Sequence, residues 1–109
     1  MAGDRVAEGV VGSAIRLNSS EIAEIMRSLP KWQLVDGREA ITRDFLFSGF
    51  MEAWSFMGKI ANKAEQMGHH PEWSNVYNKV CVTLATHDCG GLSGLDIEMA
   101  LFIDGLELT

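Results

Sequence analysis

Cysteine, proline and cationic side chains are all scarce in this chain. Only two cysteines, Cys81 and Cys89, occur in 109 residues. That is too few for a disulfide framework, so a reducing compartment is the expectation, cytoplasm or nucleus. Nine Lys and Arg stand against fifteen Asp and Glu, a net charge of −6. Without surplus cations to exchange for counterions, direct nucleic-acid binding is not expected. No apolar run approaches the roughly 18–20 residues that span a bilayer, so no membrane partner is expected. The start, Met1-Ala2-Gly3-Asp4-Arg5, lacks the apolar core of a secretory signal. Phosphate-binding glycine loop, nucleophile elbow, internal repeat and low-complexity tract are absent as well. What is present is a 47% hydrophobic content, enough for the core of one domain in a chain too short for two.

Residues 1–16 show no sustained period and read as a flexible leader, with a single domain over 17–109. Asn18-Ser19-Ser20-Glu21 has the form of a capping box, since Asn18 and Glu21 can each satisfy the other's free amide. Ile22, Ile25, Met26 and Leu29 follow as one apolar stripe, and Pro30 ends the helix. Trp32–Val35 and Arg38–Phe47 read as a hairpin about Asp36-Gly37, with Ile41, Phe45 and Phe47 on one face and Arg43 between them. Ser48 is the expected cap of a long helix that ends near Met67, with Gly68 as its stop.

That helix carries two apolar rows. One is Phe47, Phe50, Trp54, Met57, Ala61 and Ala64; the other is Ala53, Phe56, Ile60 and Met67. Covering one sheet needs one apolar face. The second row either lies under the first helix or the chain end, or meets another helix in an oligomer. Ser74–Tyr77 and Val80–Thr86 read as a second hairpin about Asn78-Lys79, and Ser93-Gly94-Leu95-Asp96 opens a last helix. Helix, hairpin, helix, hairpin, helix predicts an α+β fold, a four-stranded antiparallel sheet with three helices packed on one face.

The three histidines, His69, His70 and His87, lie within nineteen residues. If Asn78-Lys79 is a two-residue turn, Tyr77 pairs with Val80 and His70 falls opposite His87, about 5 Å away in a regular ladder. His69 belongs to the same rim. Imidazole exchanges protons near neutrality, so such a rim suits a reaction limited by proton transfer. Glu65 lies four residues before His69, within reach on a helix, where it would orient the ring. Pro71, Trp73 and Trp32 offer flat apolar surface suited to a planar heterocycle. Asp96 reads first as a helix-start carboxylate, and Cys81 as a small core residue. His69, His70, His87 and Cys89 are metal-donor types, but adjacent histidines point apart and no His-x-x-x-His or Cys-x-x-Cys occurs. No metal is expected.

The run Glu65-Gln66-Met67-Gly68-His69-His70-Pro71-Glu72-Trp73, continued by Thr86-His87-Asp88-Cys89 and Gly91-Leu92-Ser93 with Asp96, resembles the signature of pterin-4a-carbinolamine dehydratase. The same family is known as the dimerization cofactor of a hepatocyte nuclear factor. The resemblance spans roughly residues 17–106. It implies dehydration of 4a-hydroxytetrahydrobiopterin to quinonoid dihydrobiopterin, with His69 and His87 as acid–base groups and His70 holding the pterin. It also implies that Glu65 orients a histidine, that Pro71, Trp73 and Trp32 shape the pocket, and that Asp96 lies near it. No cofactor is implied. A homotetramer, a dimer of dimers meeting through the long helix, is implied. A second role as a transcriptional coactivator is also implied, binding the nuclear factor's dimerization segment on the same helix surface.

Overall fold

The computed structural model describes residues 10–107. Its elements follow in chain order: α1 (Ser19–Met26), β1 (Gln33–Leu34), β2 (Ile41–Leu46), α2 (Phe50–Met67), β3 (Glu72–Val76), β4 (Lys79–Leu84) and α3 (Gly94–Glu107), with a short 3-10 turn at His87–Cys89 before α3. The sheet is antiparallel in the order β1-β2-β4-β3. No helix among the described residues is long and apolar enough to cross a membrane.

Alternation along the strands decides which side is covered. Ile41, Arg43 and Phe45 of β2 are buried with Val80, Val82 and Leu84 of β4, while Asp44 and Leu46 are exposed on the reverse face. The buried row meets Ile25 and Leu29 near α1, Ala53, Phe56, Met57, Ile60 and Ala64 of α2, and Ile97, Met99, Ala100 and Ile103 of α3. The three helices therefore share one side of the sheet, as expected.

Several local expectations need correction. The Asn18/Glu21 capping box forms, but α1 ends at Met26, a turn before Pro30. Tighter bonds from Ser28 N–H to the Ile25 carbonyl and from Leu29 N–H to the Met26 carbonyl carry Leu29 into the core. The first connection is longer than two residues. Val35 N–H donates to the Ala40 carbonyl and Leu34 pairs with Ile41, because Arg38 and Glu39 leave the turn for distant partners, Glu72 and Arg16. The second turn is Tyr77-Asn78, with Val76 opposite Lys79. Tyr77 takes φ +50°; the Asn75 amide bridges the Tyr77 and Lys79 carbonyls, and the Asn78 side chain donates to the Phe47 carbonyl. Both pairings slip by two residues, which leaves every side chain on its expected face.

The cap of α2 is Gly49, whose position supplies no side-chain bond. Ser48 instead receives Glu52, which accepts from its backbone N–H at 3.0 Å and its hydroxyl at 2.8 Å. Of the helix's two apolar rows, the one containing Ala53, Phe56 and Ile60 faces the core. Phe50 and Trp54 from the other row remain exposed, with their rings stacked at 6.3 Å.

Residues 10–16, expected within a flexible leader, are tied to the start of α3. Gly12 N–H donates to the Gly94 carbonyl, Leu95 N–H to the Ser13 carbonyl and Leu17 N–H to the Leu92 carbonyl. Gly94 is needed for this approach, since a Cβ there would stand 1.5 Å from the Val10 carbonyl oxygen. Gly94→Ala should therefore cost about 2 kcal/mol, read as a lower Tm. The penalty should shrink in a chain that starts at Ser13.

Glu39 adds a charged tie, accepting from Arg16 at 2.8 Å and from Leu92 N–H at 2.9 Å. The guanidinium hydrogen bond, followed by the Leu92 amide, holds the Glu39 carboxyl below its ordinary 4.5. A carboxyl lowered on folding stabilises the fold above its unfolded value and stops doing so as pH falls through the folded one. Glu39→Gln should lower Tm at pH 7, and the gap to the parent should close progressively below about pH 4.5.

Candidate active site

The site is seated by the end of α2. Gly68 takes the left-handed conformation, φ +64°, and donates to the Glu65 carbonyl, while His69 N–H reaches back to the Ala64 carbonyl at 3.1 Å. This paired closure is a Schellman motif. It turns His69 under the helix end, where the residue is 8% exposed, and leaves the next residue, His70, outside. Adjacent histidines thus meet different environments.

Inside, His69 Nε2 lies 2.6 Å from Asp96 Oδ1. Asp96 is fully buried on the first turn of α3. Its other oxygen, Oδ2, accepts from the Thr86 hydroxyl at 2.7 Å and from Ser93 N–H at 3.0 Å. The second bond is half of the capping box expected at Ser93; the Ser93 hydroxyl supplies the other kind of cap by accepting from Leu95 N–H at 3.2 Å. Asp96 therefore both caps α3 and holds a histidine.

Every buried side-chain nitrogen and oxygen in the described residues has a hydrogen-bond partner. His69 Nδ1 makes no such bond among them, so Nδ1 is the ring atom that reaches solvent.

His70 is exposed and its Nε2 meets Glu65 Oε2 at 2.6 Å. Glu65 thus orients His70 rather than His69, because the closure at Gly68 swings His69 away from the helix face that carries Glu65. His87 is exposed in the 3-10 turn directly after Thr86. The ladder ends at Glu72 opposite Thr83, so it does not pair His70 with His87. The two histidine-bearing segments are brought together instead by Asp96, which holds His69 from one and Thr86 from the other. Thr86 was legible only as part of the family signature, and the sequence assigned it no role at the site.

Pro71 and Trp73 follow His70 into edge strand β3, where Trp73 is half-buried on the helix side opposite Val82. Trp32 lies elsewhere. It is 3% exposed, packs edge-on against Phe45, and donates its indole N–H to Asp104 Oδ1 at 2.8 Å. Asp104 stands eight residues along α3 from Asp96, roughly 12 Å of helix, so Trp32 is a core residue away from the imidazoles. Cys81 is likewise not in the core. It sits half-buried on the outer sheet face near Thr42, and burial pushes its thiol up from the ordinary value. A cavity of about 430 Å³ lined by Phe45, Phe47, Phe56 and Leu106 opens beside the first half of α2, at the end opposite His69. No three His, Cys, Asp or Glu side chains among the described residues converge to hold a metal ion.

Fold and site define an α+β protein in which a buried carboxylate–imidazole pair joins two segments that each carry an exposed histidine. Residues 15–106 match the family described as Pterin 4 alpha carbinolamine dehydratase, and the chain belongs to it. A Burkholderia multivorans protein named as a pterin-4-alpha-carbinolamine dehydratase is 53% identical over 91 residues, 84% of this chain and 89% of that one. A Brucella ovis protein of the same name is 56% identical over 85 residues, 78% and 88% of the two chains. The crystal structure of a transcriptional coactivator/pterin dehydratase from Brucella melitensis superposes with a TM-score of 0.82 at 53% identity, covering 84% of this chain and 97% of the other.

Proposed function

We propose that this chain dehydrates 4a-hydroxytetrahydrobiopterin to quinonoid dihydrobiopterin and water by histidine acid–base catalysis, in the recycling of the reduced pterin. The observation that carries the reading is the His69–Asp96 pair, with Nδ1 of His69 open to solvent and His70 and His87 exposed on the two segments that Asp96 joins. The reaction breaks the C4a–O bond and the N5–H bond. A protonated imidazole gives its proton to the departing hydroxyl, which leaves as water, and a neutral one takes the N5 proton. One proton enters and one leaves, so the site is regenerated by exchange with solvent.

His69 and His87 fill the two proton-transfer roles. His70, held by Glu65, binds the ring, with Pro71 and Trp73 as flat apolar neighbours. The direct test follows freshly generated 4a-hydroxytetrahydropterin with and without the protein. Catalysis should exceed spontaneous decay by orders of magnitude and be lost in His87→Ala with folding intact. A protein that leaves the decay rate unchanged refutes the reading.

A second reading rests on a different observation. Phe50, Met51 and Trp54 expose an apolar strip on α2, at 42%, 69% and 56%, and strips of that kind mark interaction surfaces. We propose that this strip forms the homotetramer, a dimer of dimers, and takes the helical dimerization segment of a hepatocyte nuclear factor-type transcription factor as a coactivator would. Trp54→Glu should shift the sedimenting species to smaller mass while leaving the dehydration chemistry of each subunit in place. An unchanged mass would remove the strip from the assembly.

A further inference from the structure

We infer that Thr86 and Ser93 are positioning residues that hold the Asp96 carboxylate in the one orientation that fixes the tautomer of His69, making its Nδ1 the reacting atom. This inference rests on the dehydratase reading for its kinetic consequence, but the tautomer itself can be tested without substrate.

The direction of each hydrogen bond follows from counting protons. A carboxylate only accepts. Oδ2 of Asp96 takes the Thr86 hydroxyl proton and the Ser93 N–H. A hydroxyl has one proton to give, so Thr86 is then spent as a donor. At the 2.6 Å contact between the two hydroxyls, Ser93 must therefore donate and Thr86 accept. Ser93 Oγ is in turn supplied by Leu95 N–H, which it shares with the Ser13 carbonyl. The chain runs one way, from the first turn of α3 through Ser93 and Thr86 to Asp96.

Oδ1 remains, 2.6 Å from His69 Nε2. It accepts, so Nε2 carries a proton. In the neutral ring that leaves Nδ1 bare, and Nδ1 is the nitrogen that reaches solvent. The ring is thereby set as a base at the open atom, and becomes an acid there once Nδ1 is protonated. Buried networks with every donor assigned hold one arrangement, because each reversal here leaves an acceptor facing a carboxylate oxygen. Thr86 and Ser93 are 5% and 0% exposed, and water offers neither hydroxyl an easy substitute.

Thr86→Val keeps the shape and removes the hydroxyl. Asp96 then retains only the Ser93 N–H on Oδ2, and the Ser93 hydroxyl loses its acceptor. We expect kcat to fall about tenfold, the cost of one lost hydrogen bond to a charged group, with KM nearly unchanged. Thr86→Ser should recover most of kcat, and Ser93→Ala should lower kcat with KM unmoved.

The second readout is ¹⁵N NMR of histidine-labelled protein. Wild type should show His69 protonated at Nε2 and bare at Nδ1 in the neutral ring, whereas Thr86→Val, which releases Asp96 Oδ2 and lets the carboxylate turn away from Nε2, should show a mixture of tautomers. Wild-type His69 protonated at Nδ1 and bare at Nε2 would overturn the inference, whatever the activity. So would a folded Thr86→Val protein with unaltered tautomer, even if its kcat fell, since the loss would then be structural. Should Thr86→Val fail to fold, the wild-type spectrum and Ser93→Ala decide the matter. A protein with the expected tautomer and no dehydratase activity would refute the proposed reaction and leave the tautomer assignment standing.

Discussion

Asp96→Asn should lower kcat by about 10³–10⁴-fold while leaving the protein folded. The asparagine oxygen can still accept from Thr86 and Ser93 N–H, which occupy one side of the present carboxylate. Its amide nitrogen must then face His69 Nε2, where Asp96 Oδ1 now accepts. Two donors cannot share that contact, so the ring has to give up its Nε2 proton and carry one on Nδ1 instead. The atom open to substrate becomes a donor in the neutral ring and can no longer act as a base. The same exchange at a buried aspartate behind a catalytic histidine costs about 10⁴-fold in serine proteases, for the same tautomeric reason.

Asp96→Ala should be worse in a different way. It strands the Thr86 hydroxyl, the Ser93 amide and His69 Nε2 in a site where Asp96 is 0% exposed, at about 1–3 kcal/mol for each unsatisfied group. Thermal denaturation separates the two variants: Asp96→Asn should keep most of the parent's Tm, and Asp96→Ala should not. Activity in Asp96→Asn within a few-fold of the parent would show that the pair does not serve catalysis.

The second large effect concerns stability alone. Arg43 faces the core from the middle of β2, 7% exposed, with its guanidinium 4.3 Å from the centre of the Phe45 ring and 2.5 Å from Asp104 Oδ1. The same oxygen accepts the Trp32 indole N–H. Burying a cation is costly, so removing a carboxylate that pairs with it costs more than the pair contributes. Asp104→Ala should cost about 3 kcal/mol, a fall in Tm on the order of 10–20 °C for a chain of this size.

Replacing both charges, Arg43→Met with Asp104→Leu, should cost less than Asp104→Ala alone, because the buried cation then leaves together with its Asp104 carboxylate. The turnover of each folded variant should stay near the parent's, since Asp104 lies two turns along α3 from Asp96. A double variant less stable than the single one would mean that Arg43 is held mainly by packing.

Local chemistry was legible in the residues themselves. The Asn18/Glu21 box, the Gly68 stop and the Ser93–Asp96 start each depend on groups within three or four positions, where the chain has few alternatives. Core faces were legible for a related reason. Side chains alternate with a period of two, so hairpin pairings misplaced by two residues still leave Ile41, Arg43 and Phe45 on one face of β2 and Val80, Val82 and Leu84 on one face of β4, the faces that the helices cover. The turn positions were not. Asp36-Gly37 and Asn78-Lys79 are good local signals, but Arg38 and Glu39 are drawn to Glu72 and Arg16, and Asn78 to Phe47. Contacts across the sheet outweighed the preferences of two residues.

What the sequence by itself determined, then, is the order of elements, their buried faces, and the presence of imidazoles at the ends of α2 and β4. Only the tertiary structure decided which partner each imidazole has. His69 and Asp96 are 27 residues apart, and nothing in either segment names the other. They meet because α3 packs beside α2 with its first turn at the end where Gly68 folds His69 inward. The same packing sends Trp32 to Asp104, at the far end of the same helix. Capping and alternation are short-range and survive misjudged pairings. A buried hydrogen-bond chain depends on where three elements come to rest, and that follows from the packing of the whole core.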